Sequence, residues 1–528
     1  MTAMLLAMAS PVTDMGQRIP QYADYVRILP VLVLSIFGML IMVLDPLIDE
    51  QVHSKVLGLI AFFGALASLA AVFYQSQYPG LAFWNMVRVD MFSTFFQVVI
   101  LAIAVLTILT SFEYMDTQRI RAGEYYALIL LGTAGMCLMS SAVELVLIFI
   151  ALEISSIATY ILAGFLRRDP RSSEASLKYF LLGSFATAFF LYGVALMFGA
   201  TGSTSITEIA TALSGSYVPS LAYIAVALMF VGLGFKLAAA PFHVWTPDVY
   251  EGAPAPVTGF MSTAPKAATF AVLLRVIFEA HVPGYFWLIW VAAVLSMTIG
   301  NLGALTQTSI KRMLAYSSIA HAGYMLVAFA SAPAGGISAV MFYAASYAAM
   351  NVGAFAIISH LGGFGERFVS IEDYAGLARR APFMAAMLTV FLLSLIGIPA
   401  TGGFFAKFYV FSAALQANLV GLTILGVINS AIGAYYYLRV IVVMYMQEAK
   451  GDVPVTPLPF GVRAVLLVTM LTTLYLGLVP GSVLTYTQSS AQNLVAPKSP
   501  GNGTIKVEID FHLSQAKPKV ELSAPASR

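Results

Sequence analysis

Three lysines lie deep inside apolar stretches of this sequence, at Lys236, Lys266 and Lys407. Around Lys407, no other Asp, Glu, Lys or Arg occurs between Arg380 and Arg439. A charge in the middle of a membrane costs about 2.5–3.5 kcal/mol on insertion scales, so each retained lysine calls for a reason. A lysine that burial and neighbouring charges can shift between protonated and neutral forms suits proton transfer. We interpret the three lysines as stations for protons.

Carboxylates occur in the same kind of stretch. Glu153 is the only charged residue between Glu144 and Arg167, and a functional role is favoured over a buried ion pair that only joins helices. Glu144 lies at a predicted helix start, where a carboxylate faces the positive end of the helix dipole. Lys178 follows Glu174 by one turn, the favourable order for an ion pair. For Glu144 and Lys178, structural and functional interpretations both stay open.

Two histidines join this set. His321 lies in the uncharged stretch between Arg312 and Glu366, and its titration near neutral pH suits a proton relay. His243 follows Lys236 and could relay protons between that lysine and the cytoplasmic side. For both, a hydrogen-bonded packing role is an equal alternative.

Prolines stand near the lysines, at Pro241, Pro265 and Pro399. A proline inside a helix removes a backbone hydrogen bond and kinks or breaks the helix. Broken backbone at membrane depth is tolerated only where protein or water satisfies it, a feature of transporter sites. The prolines therefore predict interrupted helices that bring water to the lysines.

Composition identifies the elements that position these groups. The chain has 528 residues, 60% hydrophobic and 10% charged, which excludes one water-soluble globule and predicts a polytopic all-α membrane protein. A net charge of +2 gives no basic field for nucleic acid. The single cysteine, Cys137, excludes intrachain disulfides, four-cysteine zinc sites and iron–sulfur clusters. We expect no metal or cofactor on this chain. The sequence contains no nucleophile triad or phosphate-binding loop that would compete with the interpretation as a proton pathway.

Hydropathy predicts about fourteen transmembrane helices, with interruptions in spans seven, eight and twelve. Lys and Arg concentrate in the odd-numbered connections, which places these in the cytoplasm and both termini outside it. The predicted spans are 27–45, 55–74, 90–111, 124–141, 143–166, 174–200, 218–240, 254–280, 284–304, 310–331, 336–360, 381–413, 417–447 and 462–485.

The spans group into a predicted domain order. Two five-helix units are inverted relative to each other, because an odd number of helices turns the second copy upside down. Lys236 and Lys407 would then be equivalent. In the tail, "TIKVEIDFHL" alternates like a strand, and docking to a partner and disorder are equal alternatives. The units are 1–123 (three helices), 124–280 (first repeat), 281–447 (second repeat), 448–485 (last helix) and 486–528 (polar extension).

The stretch "KLAAAPFHVWTPDVYEGAPAPVTGFMSTAPK" resembles the antiporter-like membrane subunits of respiratory complex I and the related Mrp-type cation/proton antiporters. Supporting stretches are "LIFIALEISSIATYIL", "SSEASLKYFLLGSFATAFFLYG", "SIKRMLAYSSIAHAGYMLVA" and "SLIGIPATGGFFAKFYVFSAAL". The resemblance covers about residues 90 to 445. Lys407 separates the chain from the M-type sister, which carries glutamate there, and no long lateral helix follows span fourteen as in the L-type. The N-type remains.

The resemblance implies a proton-translocating subunit of a bacterial inner-membrane NADH-quinone oxidoreductase, moving protons outward while other subunits reduce quinone. It implies that Glu153 pairs with Lys236, that Lys266 and His321 continue a polar axis, and that Lys407 serves the second half-channel. Lys178 and His243 also match family positions. NADH, FMN, iron–sulfur clusters and quinone would belong to the complex, and subunits M, J and K and the lipid bilayer would surround this chain. An independent Mrp-type antiporter subunit and a non-pumping scaffold are the alternatives.

Overall fold

The computed structural model describes residues 20–48, 53–120, 123–215, 218–280, 282, 284–331, 334–449 and 456–495. The predicted strand at 504–513 lies outside these residues. Nearly all of the described chain is helical. The helices are α1 Tyr22–Arg27, α2 Leu29–Leu44, α3 His53–Gln75, α4 Met91–Gln118, α5 Gly123–Ser141, α6 Leu145–Ala163, α7 Pro170–Thr201, α8 Ile206–Leu213, α9 Ser220–Leu237, α10 Thr246–Gly252, α11 Ala255–Leu274, α12 Tyr285–Leu305, α13 Ile310–Ala330, α14 Ala334–Gly362, α15 Leu377–Arg380, α16 Pro382–Ile396, α17 Gly402–Gln416, α18 Val420–Met446, α19 Phe460–Leu478 and α20 Gly481–Val495. Short 3₁₀ turns span Asp45–Leu47 and Ile371–Tyr374, and a π-helical turn spans Arg275–Glu279.

Within the described residues, 12 helices are long and apolar enough to cross a membrane. Each coincides with one predicted span, which confirms the all-α membrane fold. One of the two remaining predicted spans corresponds to α5. The other corresponds to the pair α16 and α17, and each of these two helices has 15 residues. Fourteen crossings therefore stay a prediction.

The helices form a central layer and a periphery. Helix α11 is wholly buried, and α13 and α14 are almost wholly buried. Peripheral helices expose large apolar side chains, such as Leu181, Phe185 and Tyr192 on α7. An apolar exterior suits contact with lipid, while small and polar side chains mediate helix packing inside. The central helices therefore carry the groups that need protection from lipid.

The predicted break in span seven is present. Helix α9 ends at Leu237, and Ala238 adopts a left-handed conformation with φ 58°. The N–H of Ala239 then donates to the carbonyl of Gly234 at 2.8 Å, which closes the helix before Pro241. Pro241 thus lies in the loop beyond the helix end.

Span twelve is also interrupted, between α16 and α17. Gly397 follows α16 with φ 96°, a conformation that strongly favours glycine, and Pro399 lies in the connecting segment. The interruption falls ahead of Lys407, as predicted. However, Lys236 precedes its break and Lys407 follows its break, so the two lysines lie on opposite sides of their interruptions.

The predicted break in span eight is wrong. Helix α11 runs without interruption from Ala255 to Leu274 with Pro265 inside it. The Thr269 hydroxyl donates to the Pro265 carbonyl at 2.7 Å, and packing on all sides holds the helix together. A proline removes only one hydrogen bond, and neighbouring helices can compensate for it.

Two local features were not anticipated. Strands β1 (Gly80–Ala82) and β2 (Val87–Val89) form an antiparallel hairpin between α3 and α4. Helix α20 runs through the expected boundary at 485, where a polar extension was predicted to begin. Its Tyr486 hydroxyl donates to the Met91 carbonyl at 3.1 Å, so contact with the helix bundle stabilises this segment. The local polarity of the sequence does not indicate this contact.

Candidate functional site

The three predicted lysine stations are buried in the helix bundle. Lys236, Lys266 and Lys407 are exposed by 3%, 2% and 8%, respectively. Among the ion pairs of the described residues, none involves these lysines. Each ammonium instead donates to one serine hydroxyl: Lys236 to Ser156, Lys266 to Ser318 and Lys407 to Ser430. Serine neutralises no charge, so each lysine keeps a group that can gain or lose a proton.

Lys236 lies in the last turn of α9 and reaches α6. Its Nζ donates to the Ser156 hydroxyl at 2.8 Å and lies 5.2 Å and 5.4 Å from the ring centroids of Tyr160 and Tyr179. These ring faces favour a cation. The site therefore combines one hydroxyl acceptor with two aromatic walls.

Glu153 lies one turn before Ser156 on the same helix. The expected Glu153 and Lys236 pair is not a direct contact, because Lys236 donates to Ser156 instead. Glu153 Oε1 is buried and has no hydrogen-bond partner among the residues that the structure describes. A carboxylate oxygen without a partner is costly, so this arrangement leaves an acceptor open beside the lysine.

Lys266 of α11 contacts α13. Its Nζ donates to the Ser318 carbonyl at 2.9 Å and to the Ser318 hydroxyl at 2.6 Å. The Tyr347 hydroxyl of α14 also donates to the Ser318 hydroxyl, at 2.8 Å. Three central helices therefore meet at one serine.

His321 lies one turn further along α13. Its Nδ1 is 2.7 Å from the Tyr343 hydroxyl, and its Nε2 is 3.2 Å from the Tyr437 hydroxyl. Tyr437 also bonds the Ser317 hydroxyl. Both ring nitrogens thus contact groups that can donate or accept, which is what a relay through a neutral histidine requires.

Lys407 lies on α17, and its side chain reaches back to the end of α16 across the interruption. Its Nζ donates to the carbonyls of Leu395 and Ile396 at 3.0 Å and 2.8 Å, and to the Ser430 hydroxyl at 2.8 Å. The two carbonyls lack helical partners because α16 ends there. Tyr324 places its ring 4.9 Å from the ammonium. Lys407 therefore caps a broken helix as well as carrying a buried charge.

Lys178 lies apart from these buried lysines. Its side chain is 41% exposed and pairs with Glu174 at 2.6 Å and Asp248 at 2.7 Å, and Asp248 also pairs with Arg312 at 2.7 Å. Burial raises the pKa of Asp248, but hydrogen bonds from Lys178 and Arg312 outweigh it and hold the pKa below its ordinary value. Lys178 thus belongs to an ionic cluster that joins α7, α10 and α13.

The other two candidates have different surroundings. His243, half-buried in the loop after α9, has an Nδ1 that is buried and without a hydrogen-bond partner. Glu144 accepts from the backbone N–H groups of Val146 at 3.1 Å and Leu147 at 2.6 Å. Glu144 is therefore an N-cap of α6, in agreement with its structural interpretation.

Sequence reasoning missed the three serines that hold the lysine ammonium groups. Their signal is weak, because serine is common in membrane helices and often bonds its own backbone. Ser156 is the exception, since it stands one turn after Glu153. Within the described ranges, no group of three or more His, Cys, Asp or Glu side chains could hold a metal ion.

Comparisons with known proteins found a matching family model and similar sequences. Residues 142–433 match the family model described as NADH:quinone oxidoreductase/Mrp antiporter, TM. NADH-quinone oxidoreductase subunit N 2 of Koribacter versatilis is 62% identical over 89% of this chain and 98% of its own length. Subunit N of Trichlorobacter lovleyi is 45% identical over 88% of this chain and 96% of its own length.

Solved structures give the same result. A chain of respiratory complex I from Thermus thermophilus with bound aureothin superposes with a TM-score of 0.75 at 37% identity, covering 86% of this chain and 98% of that chain. A chain of the Mrp complex from Dietzia sp. reaches a TM-score of 0.79 at 21% identity, covering 89% of this chain and 98% of that chain, and shows the shared fold alone.

Proposed function

Because this chain belongs to the NADH-quinone oxidoreductase subunit N family, we propose that it translocates protons as a membrane subunit of an NADH-quinone oxidoreductase. Electron transfer from NADH through FMN and iron–sulfur clusters to quinone takes place in other subunits. The observation that carries the proposal is the set of three buried lysines, each of which donates to a serine hydroxyl and forms no ion pair with a carboxylate in the described part of the chain.

Protons enter from the cytoplasmic side, load the lysines and leave outward as charges shift along the row. Two charges about 6 Å apart interact by about 3 kcal/mol at an effective dielectric constant of about 20. That energy changes the protonation ratio of a neighbour by about a hundredfold. A charge change is therefore large enough to load or empty a station that lies within about 6 Å of it.

Glu153 is the partner that switches Lys236. The Lys236 ammonium bonds Ser156, and the open Oε1 of Glu153 lies one helical turn away. Moving the ammonium from the serine to the carboxylate would favour the protonated lysine, and the reverse movement would favour proton release. Lys266 and His321 lie between this site and Lys407 in the proposed pathway. Lys266 bonds Ser318, which also accepts from Tyr347, and His321 contacts the hydroxyls of Tyr343 and Tyr437.

Two candidates have roles at the edge of the pathway. Lys178, with Asp248 and Arg312, anchors α10 beside the break in span seven. His243 lies in the same loop and serves proton access to Lys236. By resemblance, Lys178 and His243 match family positions. Neither residue belongs to the set of three buried lysines.

The chain is an integral membrane protein that works within a multisubunit membrane complex. We propose subunits M, J and K as its neighbours and the bacterial inner membrane as its location, with both termini outside the cytoplasm. Two inverted five-helix repeats, 124–280 and 281–447, would provide two half-channels. The interruptions in spans seven and twelve support this arrangement, although the lysines lie on opposite sides of the two interruptions.

The test uses the assembled complex in proteoliposomes, with proton pumping followed during NADH oxidation. Lys236→Ala and Lys407→Ala are expected to abolish pumping. Lys55→Ala is the matched control, since Lys55 is exposed and lies 4.0 Å from Asp116. Normal pumping by both buried-lysine variants would favour the non-pumping scaffold. Sodium-driven proton flux by the isolated chain would favour the Mrp-type antiporter.

A further inference from the structure

A second buried charge pair, which the lysine row does not include, joins α13 to the loop after α14. Lys311 Nζ lies 2.6 Å from Glu366 Oε2, and the two side chains are exposed by only 1% and 7%. A buried pair is weak evidence for a gain in stability, because desolvation offsets the attraction.

Glu366 is held facing inward by its loop and its partners. Gly363, Gly365 and Glu366 have φ values of 64°, 69° and 48°, a left-handed region that a glutamate rarely adopts. Glu366 Oε1 accepts from the Tyr114 hydroxyl and from the Ala255 backbone N–H, each at 2.7 Å. The carboxylate thus lies at the N-terminus of α11, the helix that carries Lys266.

A cavity of about 860 Å³ lies against the same loop. Its lining includes Gln118, Gly365 and Arg367, together with Arg119 and Arg168. Gln118 bonds the loop on both sides, donating to the Gly363 carbonyl at 2.8 Å and accepting from the Gly365 N–H at 2.9 Å. All of these residues belong to odd-numbered connections or helix ends beside them, the side predicted to be cytoplasmic. The cavity therefore reaches Gly365 and Arg367, the two chain neighbours of Glu366, from that side.

Polar side chains connect the pair to Lys266 along one face of α11. Lys311 Nζ donates to the Ala253 carbonyl at 2.7 Å, and the Thr258 hydroxyl lies 3.3 Å from that carbonyl. Thr258, Ser262 and Lys266 follow at intervals of four residues, which places them on one helix face about 6 Å apart along the axis. All three are buried, and Asn351 of α14 donates to the Ser262 hydroxyl.

We propose that Glu366 and Lys311 form the proton-uptake site that loads Lys266, with Thr258 and Ser262 as the connecting hydroxyls. This inference rests on the proposed proton-translocating function. A hydronium ion in the cavity protonates the Glu366 carboxylate and leaves water. Lys311, after passing its proton inward and becoming a neutral amine, takes the proton from Glu366. The inward proton crosses Thr258 and Ser262, with one water bridging each gap, and converts neutral Lys266 to its ammonium form.

The first test removes one hydroxyl without changing side-chain shape. In the assembled complex in proteoliposomes, Thr258→Val is expected to lower the rates of proton pumping and quinone reduction together by about a hundredfold, the lower end of the loss typical when a proton-transfer group is removed. Thr258→Ser restores the hydroxyl and is expected to recover the rate to within about twofold of the parent. Thr469→Val is the matched control, because Thr469 is also buried and bonds a backbone carbonyl, of Val465, at 2.7 Å.

Two further variants distinguish proton transfer from structural support. Ser262→Ala is expected to reproduce the loss of pumping, and it decides the test if Thr258→Val lowers the amount of complex. Glu366→Gln keeps an acceptor for Tyr114 and Ala255 but cannot carry the proton. The complex with this variant is therefore expected to assemble normally but to pump poorly.

Normal pumping by both Thr258→Val and Ser262→Ala, while Lys266→Met abolishes pumping, would overturn the uptake site and leave the proposed function standing. Normal pumping by Lys266→Met would overturn the proposed function itself.

Discussion

Lys407 offers a test that separates charge and helix capping from proton release. Lys407→Met removes the donor to two carbonyls at the end of α16 and to the Ser430 hydroxyl. Each buried carbonyl left without a partner costs about 1–3 kcal/mol, or about 2–6 kcal/mol for the two. Removing the buried charge recovers about 2.5–3.5 kcal/mol. The two effects largely cancel, so the methionine variant is expected to assemble.

Lys407→Arg keeps the charge and the donors but adds volume. The site is tight, since a Cβ at Gly397 would lie 3.1 Å from Lys407 Cδ. Overpacking of this kind costs about 1–3 kcal/mol, so the arginine variant also remains close to the parent in stability. Arginine cannot release a proton inside a protein. Both variants are therefore expected to assemble and to lose proton pumping.

The assay compares the amount of assembled complex, its thermal inactivation and its pumping during NADH oxidation. Lys55→Met and Lys55→Arg are matched controls at an exposed lysine and are expected to pump like the parent. If Lys407→Arg pumped at more than about half of the parent rate, charge and capping would suffice, and the assignment of Lys407 as a proton-releasing station would be wrong.

Two further predictions concern the elements around the lysines. Gly403→Ala would place a Cβ 1.8 Å from the Ser394 carbonyl oxygen, so it is expected to reduce the assembled complex on a native gel, whereas Gly421→Ala, with open space around it, is expected to be silent. Asp248 has a pKa held below its ordinary value by hydrogen bonds from Lys178 and Arg312, although burial opposes them. Its stabilising contribution is complete above the unfolded-state pKa of about 3.9 and is lost as the pH falls through the lower folded-state pKa. Asp248→Asn is expected to lower thermal stability at pH 7 and to leave less acid-dependent loss below pH ~4, and an unchanged acid profile would contradict this reasoning.

The membrane fold and the identity of the three buried lysines could be predicted from local sequence. An isolated lysine in an apolar stretch has no polar surface nearby, so Lys236, Lys266 and Lys407 had to be buried. The interruptions near Pro241 and Pro399 followed from the same local reasoning. Pro265 shows its limit, because the helix around it is held by neighbours that the surrounding residues do not identify.

The partners of the charged groups could not be predicted in this way. Lys178 had an ion-pair partner one turn away, and that contact is present, but its second partner, Asp248, comes from another helix. Lys311 is near the start of its helix, and its buried partner, Glu366, lies 55 residues away in the sequence. Burial of a residue at a helix start depends on which loops cover it, and those loops are distant in sequence.

The sequence by itself determined that this protein lies in a membrane and that three lysines remain inside it, because hydropathy and the cost of buried charge act residue by residue. Only the tertiary structure decided that the lysines bond serines and that Glu153 keeps an open oxygen beside Lys236. It also decided that Lys407 caps a broken helix. Hydrogen bonds between helices depend on packing and register across the whole bundle, which no single span encodes.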